Sequence, residues 1–425
     1  MAPGTTVARL AWQSILVFVV WISSAACLHC QDISTHALFT ATPFDQWQAE
    51  APRQQIPWKV RLLPVRLSMH QRLEAAIEVQ IPEAELAKRR SDGPLILLVQ
   101  LTDPAGRRYR HSGLFDLEDI AGKSGKKDVP FYWIAFVLPG EYEVAVALYD
   151  KTSGEHNFHR SRLQVDPLPG DPLPNAWRGL PSVEFWAPLS DRLDSLYRTE
   201  VEGRLSLPLR TGRPLHLEVL ADLTPSEMFQ GDGGAYERYL SGVVPMIKTF
   251  SQINVSYGSV TLAALNLDQR RVTVDQPNLS KLEWEPLKKA LAPEQGPGVI
   301  TVSRLMQPNH NPAYLRDELV RRIDAAPDAP SPAGDPLLVF VVIGGPMDSY
   351  SFPDLPPVAV SAEAPCMVFY LQYDYRGRVE SRKSAGAAKN IEKLLHPLRV
   401  QTFTVRSAES VREALGKILE RVGQM

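Results

Sequence analysis

The hydrophobic rhythm of the chain changes near residue 208. Before that point apolar and polar residues alternate in short runs: Lys59–Leu67, Leu73–Ile81, Leu95–Leu101, Phe131–Leu138, Glu141–Tyr149 and His159–Val165. A period of two sends successive side chains to opposite faces, so each run predicts a strand with one buried face. Leu138-Pro139-Gly140-Glu141 predicts a turn between two of them. Short strands at this spacing predict an immunoglobulin-like β-sandwich over residues 55–165. Pro82–Leu86 reads as a short helix, and Phe131, Tyr132 and Trp133 read as sandwich core.

Beyond Pro208 longer periods enter. Leu215–Asp222 predicts a strand, and Tyr236, Tyr239, Leu240, Val243, Ile247 and Phe250 recur at helical spacing. Pro245 is expected to kink or shorten that helix. Ser259–Leu267 and Arg271–Val274 predict an antiparallel pair around Asp268-Gln269-Arg270, and Val299–Val302 a further strand. Glu285–Leu291, a segment carrying Tyr314, Leu315, Leu319 and Ile323, and Ala385–Leu395 predict helices. Leu337–Ile343 is apolar throughout, as in a strand covered on both faces. Cys366–Gln372 and Val400–Val405 predict two more strands, and Val411, Leu415, Ile418, Leu419 and Val422 a last helix with Ser407 as N-cap. Strands alternating with helices predict a doubly wound, mostly parallel α/β sheet over residues 209–425.

Between the halves, Asp166-Pro167-Leu168-Pro169-Gly170-Asp171-Pro172-Leu173-Pro174 excludes regular structure and predicts an extended linker. The bridging region runs to residue 208 and includes a candidate amphipathic helix at Ser190–Tyr197, to which no role is assigned.

Arg9, the apolar stretch Leu10–Ile22 and the small residues Ser23-Ser24-Ala25-Ala26 have the layout of a secretory signal peptide over residues 1–26. The uninterrupted apolar part is shorter than the roughly 20 residues a membrane span needs. Export to the periplasm or outside the cell is therefore expected, with membrane attachment only through an uncleaved signal or a lipidated Cys27. Cys27-Leu28-His29-Cys30 looks like half a zinc or redox motif, but no second pair exists to complete a tetrahedral site. Cys366, in an apolar run, reads as a small buried hydrophobe.

The 425 residues are 44% hydrophobic and 22% charged, ordinary globular usage for two or three domains. The formal net charge is −2, and loss of Arg9 with the signal makes it one unit more negative. No long basic cluster argues for nucleic acid. Among the nine histidines, His216 is placed on a strand, His310 in a polar loop, His396 near a helix end, and His156 and His159 in a surface turn. None stands in a recognisable hydrolase or zinc-protease motif.

The strongest chemical signal is Asp222-x-Thr224-x-Ser226, where the first strand of the second half ends. One carboxylate and two hydroxyls on a tight loop are the oxygen ligands Mg²⁺ prefers. A carboxylate at the carboxyl end of a buried strand is also well placed for a site. A hydrolase reading would gather Asp222, Asp232 and Asp348 at that edge. Gly344-Gly345-Pro346 could turn backbone amides toward an anion, without a Walker lysine.

From about Arg213 onward the chain resembles a von Willebrand factor type A domain. Asp222-x-Thr224-x-Ser226, the following helix, the strand pair and the apolar strand Leu337–Ile343 carry the resemblance. With the signal and upstream sandwich it resembles the exported von Willebrand factor A-related proteins abundant in acidobacteria. The resemblance implies a metal-ion-dependent adhesion site completed by a second-loop hydroxyl and an aspartate after the central strand. Here Gly344-Gly345-Pro346 stands where that aspartate is expected, Thr301 or Ser303 is a candidate hydroxyl, and Asp348 a candidate replacement. Pro225 also departs from the pattern. The expectation is a degenerate site, no cofactor, and a non-catalytic protein that binds or assembles with other proteins in the envelope or outside the cell. Two alternatives stand beside it: an Mg²⁺-dependent adhesion protein using Asp222, Thr224 and Ser226, and an envelope hydrolase using the acidic loops.

Overall fold

The computed structural model describes residues 30–50, 53–89, 93–115, 117, 128–186, 203–224, 235–291, 310–325, 336–345, 366–375 and 392–425. The signal segment and Cys27, Ser190–Tyr197, Ser226, Asp232, Val299–Val302, Thr301, Ser303, Asp348 and most of Ala385–Leu395 lie outside these residues. The chain divides into two compact units. One comprises Met1–Val65, Ala75–Pro167 and Ser182–Pro188, the other Arg66–Glu74, Leu168–Pro181 and Leu189–Met425.

The first unit opens with helices α1 (Cys30–Ala41) and α2 (Phe44–Ala49). Strands β1 (Arg53–Gln54) and β2 (Lys59–Leu62) follow; β3 (Arg66–Leu67) belongs to the second unit, and β4 (Leu73–Pro82) begins there and runs on into the first. Helix α3 (Glu83–Lys88) leads to β5 (Leu95–Thr102), β6 (Arg108–Phe115), β7 (Asp128–Val137), β8 (Gly140–Asp150), β9 (His156–Val165) and β10 (Val183–Phe185). They form two sheets, ordered β1-β9-β8-β5-β6 and β10-β7-β4-β2, with β3 pairing β4. Short turns join β5 to β6 and β8 to β9, so these pairs return as antiparallel neighbours, whereas the tight turn after β7 carries the chain from one sheet to the other. Phe115 meets Phe131 and Trp133 edge-on, at ring separations of 4.5 and 5.4 Å, so the two sheets share an aromatic core. Tyr132 lies outside it, 54% exposed, because alternation along β7 turns it to the outer face. Its hydroxyl donates to Glu78 at 3.0 Å. His156 is likewise not a surface-turn residue: it starts β9, is buried, and stacks on Trp47 at 4.2 Å.

The second unit contains β11 (Leu207–Leu209), β12 (Leu215–Asp222), helix α4 (Ala235–Phe250), β13 (Ile253–Val255), β14 (Gly258–Asn266), β15 (Arg271–Gln276) and helix α5 (Trp284–Leu291). Helix α6 (His310–Asp324), β16 (Leu337–Gly344), β17 (Cys366–Tyr373), a 3-10 turn at His396–Leu398, β18 (Gln401–Val405) and helix α7 (Ala408–Gly423) complete it. Its main sheet has six strands ordered β15-β14-β12-β16-β17-β18. Helix α4 continues through Pro245, because Val243, Val244, Ile247 and Phe250 bury their side chains completely and tie both halves of it to the core. Such burial, at about 1.5–3 kcal/mol per large apolar side chain, outweighs one lost backbone hydrogen bond. Ser407 caps α7 as expected, in a reciprocal capping box with Ser410. The Pro-rich segment is held at Asp171, whose carboxylate takes two hydrogen bonds from Arg412 at 2.6 and 2.8 Å.

The expected fold class needs correction. Of the ladders whose register is defined, eight are antiparallel and five parallel. The chain is built from antiparallel and mixed sheets, not from a doubly wound, mostly parallel von Willebrand factor A-like sheet behind a sandwich. Parallel pairing is confined to the second unit, and even its main sheet is mixed. The turn at Leu267–Arg270 is too short for a crossover, so β15 must run antiparallel to β14.

Candidate functional site at the carboxyl edge of the six-stranded sheet

Alternation along β12 puts His216, Glu218, Leu220 and Asp222 on one face. Leu220 packs there with Leu265, Phe340 and Tyr370, and with Leu315 and Leu319 of α6. Asp222 ends the row and is buried, only 9% exposed. Its Oδ1 accepts the Thr224 amide at 3.0 Å and the Thr224 hydroxyl at 2.5 Å. The Thr224 hydroxyl oxygen accepts in turn from the Leu267 amide at 2.7 Å. Burial pushes the Asp222 carboxyl up to about 6, opposed by the two Thr224 hydrogen bonds and reinforced by the nearby charge of Asp268.

Asp222 and Thr224 are therefore brought together, but toward each other. Gly344 occupies the neighbouring position on β16, and a Cβ there would stand 2.8 Å from the Tyr370 hydroxyl and 3.5 Å from the Asp222 Cβ. The Tyr370 hydroxyl donates to the Gly345 carbonyl at 2.9 Å. A side chain at position 344 would therefore press on the Tyr370 phenol. Among the described residues no group of three His, Cys, Asp or Glu side chains gathers around a common point. Asp222 and Thr224 by themselves do not satisfy Mg²⁺, which needs near-octahedral oxygen ligation and more than one strong anion to offset its dehydration, and the other candidate ligands lie outside the described residues.

The helical spacing that buries Leu240 and Val243 also brings tyrosines beside Asp222. The Tyr239 hydroxyl donates to the Asp222 carbonyl at 2.7 Å, and the Tyr236 hydroxyl to the Leu223 carbonyl at 3.0 Å. Tyr239 lies 6.5 Å from Tyr236, 6.2 Å from Tyr373 and 6.0 Å from Tyr375, ring to ring. Tyr373 packs where Gly242 has no side chain. In the sequence, Tyr236 and Tyr239 registered only as part of an apolar helical stripe. Tyr373-Asp374-Tyr375, just past a strand, was the signal that could have marked the cluster.

Sequence reasoning also missed a buried charge network lower on the same face. Glu218, 3% exposed, pairs with Arg322 of α6, which also bonds Glu318 at 2.7 Å and Asp275 at 2.9 Å. Burial raises the Glu218 carboxyl above its ordinary range despite Arg322. Cys366 is only partly buried, packed against the core rather than within it, yet burial still pushes its thiol up to about 12, which makes it unreactive.

No protein-family model and no curated protein matches the chain. Among solved structures it overlaps the ArnB paralog VWA2 from Sulfolobus acidocaldarius at 6% identity and a TM-score of 0.26, over 66% of this chain and 50% of that one. It overlaps a carbohydrate esterase, described as having an active site with divergent catalytic and non-catalytic binding functions, at 11% identity and 0.19, over 87% and 98%. A family two carbohydrate esterase from Cellvibrio japonicus overlaps at 9% identity and 0.20, over 86% and 95%. A von Willebrand factor A-type protein is thus among the overlapping structures, but overlaps this loose carry no argument about activity.

Proposed function

We propose that this is an exported protein that binds another protein in the cell envelope or outside the cell, through the carboxyl edge of its six-stranded sheet and without a metal ion. It would be a divergent relative of von Willebrand factor A-type proteins that keeps the Asp222–Thr224 pair. The observation that supports the reading best is the pair of half-buried tyrosines Tyr236 and Tyr375, both against the buried Tyr239 beside Asp222. Tyrosine joins a broad apolar face to a polar tip and is enriched at protein interfaces. The Asp222–Thr224–Leu267 hydrogen bonds support the metal-free part, because they engage one carboxylate oxygen and the hydroxyl that a cation would compete for. Export rests on the layout of residues 1–26. A pull-down from envelope extract with the full chain, with and without chelator, tests the proposal. The expected result is a partner retained equally in both, and lost when Tyr236 and Tyr375 are both changed to Ala. A partner released by chelator would overturn the metal-free reading, and binding indifferent to the tyrosines would overturn the choice of edge.

A further inference from the structure

At the opposite end of β12 the same sheet face carries a different arrangement. His216 and Ser259 are register partners on the parallel strands β12 and β14. The Ser259 hydroxyl stands 2.8 Å from His216 Nδ1. The other ring nitrogen, Nε2, faces Glu218 Oε2 at 3.9 Å, an electrostatic contact longer than a hydrogen bond. Glu218 is itself fixed by Arg322. A hydroxyl, an imidazole and a carboxylate thus stand in series, the order that activates a serine nucleophile.

Ser259 also lines a cavity of about 410 Å³. The cavity walls include Arg204, Gln252, Asn254, Asn278 and Ser280, together with the apolar Leu205 and Leu207. No carboxylate lines it among the described residues. Such a wall accommodates hydroxyl, carbonyl and anionic groups and repels none of them by charge. Gly258 precedes Ser259 at φ +141°, with the Leu215 carbonyl lying where a Cβ would stand. The close approach of the two backbones holds the start of β14 against β12, and with it the Ser259–His216 pair. Burial and the nearby Arg322 cation both favour the neutral imidazole, the form that accepts a proton.

We propose that Ser259 and His216 form a nucleophile–base pair, positioned by Glu218, that cleaves small carboxylic esters of hydroxylated alcohols bound in this cavity. In the first step the Ser259 oxygen bonds the ester carbonyl carbon while its proton passes to His216 Nδ1. The carbon–oxygen bond to the alcohol then breaks, and the alcohol leaves with that proton. Water bonds the same carbon, gives a proton to Nδ1, and the serine oxygen departs from the acyl carbon and recovers the proton. No oxidant, metal or cofactor enters the balance. Arg322 opposes the positive charge that His216 gains in passing, so turnover is expected to be slow. This departs from the expectation of a non-catalytic protein, and the two proposals are independent.

The test is covalent labelling of the full chain with a fluorophosphonate probe, with the adduct mapped by mass spectrometry. The expected result is one adduct, on Ser259, absent in Ser259→Ala and formed about a hundredfold more slowly in folded His216→Gln, the usual scale of a lost general base. The mapped wild-type adduct decides the matter even where a variant fails to fold. No adduct, an adduct on another serine, or labelling of Ser259 at an unchanged rate in His216→Gln would overturn the proposal.

Discussion

Glu218 and Asp222 share one face of β12, yet the fold treats the two carboxylates in opposite ways. Glu218 is matched by a full positive charge brought from α6, where Arg322 meets it among Glu318 and Asp275. Asp222 receives only neutral donors, both from Thr224 two residues on. A buried carboxylate with an ion partner is an element of architecture: it ties β12 to α6 and β15. A buried carboxylate with neutral partners gains less from ionising, and its carboxyl rises to about 6. Burial raises both carboxyls, that of Glu218 despite Arg322, so what separates the two is the partner each one holds. One acid fastens the sheet while the other shapes a loop.

The sharpest way to break this contrast is to remove Arg322. Arg322→Ala leaves Glu218 and Glu318 buried without their shared cation, with side chains 4% and 5% exposed. A loss of about 3–5 kcal/mol is expected from breaking a buried pair at one partner, read as a lower urea midpoint. A loss below about 1 kcal/mol would mean the network is solvated and resembles an exposed pair.

Asp222 should respond in the opposite sense. Its carboxyl titrates near 6 in the folded chain against an ordinary value of 3.8. Between those values the folded state holds the proton more tightly than the unfolded one. Its contribution to stability therefore falls as pH rises from about 4 to about 6, and the penalty is complete above that. Asp222→Asn keeps an oxygen for the Thr224 donors and removes the charge. It should flatten this part of the pH profile and add on the order of 2 kcal/mol at pH 7.5. Chemical unfolding across the pH range checks it; a variant less stable than the parent at pH 7.5 would refute the sign.

Gly344→Ala tests the tight packing beside Asp222. The new methyl would press on the Tyr370 hydroxyl at 2.8 Å, so a cost of about 1–2 kcal/mol is expected from overpacking. Adding Tyr370→Phe should restore part of it, because the clashing atom is the phenol oxygen. An additive double variant would show that the strain lies elsewhere.

The smallest effect concerns metal. Millimolar Mg²⁺ should leave the melting temperature unchanged in the parent and in Asp222→Asn alike. A rise in the parent that Asp222→Asn abolishes would mean that acids beyond the described residues complete an adhesion site.

Local order determined much of what the sequence revealed. The period of two marked strands of the first unit, full apolarity marked β16, the spacing of Val411, Leu415, Ile418 and Val422 marked α7, and Ser407 marked its cap. The Asp222–Thr224 pair was legible for the same reason, since both partners lie on one short loop. Strand direction was less legible. A period of two is the same in parallel and antiparallel sheets, and alternation of strands with helices over half the chain suggested a mostly parallel class that the ladders do not support. Only the tertiary structure decided which distant residues meet: Arg322 with Glu218, Ser259 with His216, Tyr373 and Tyr375 with Tyr239, and Arg412 with Asp171. Each of these contacts depends on which strands pair and in what register. The free energy of pairing is spread over whole sheets and helices, whereas a hydrogen bond across a loop is specified by the few residues that form it.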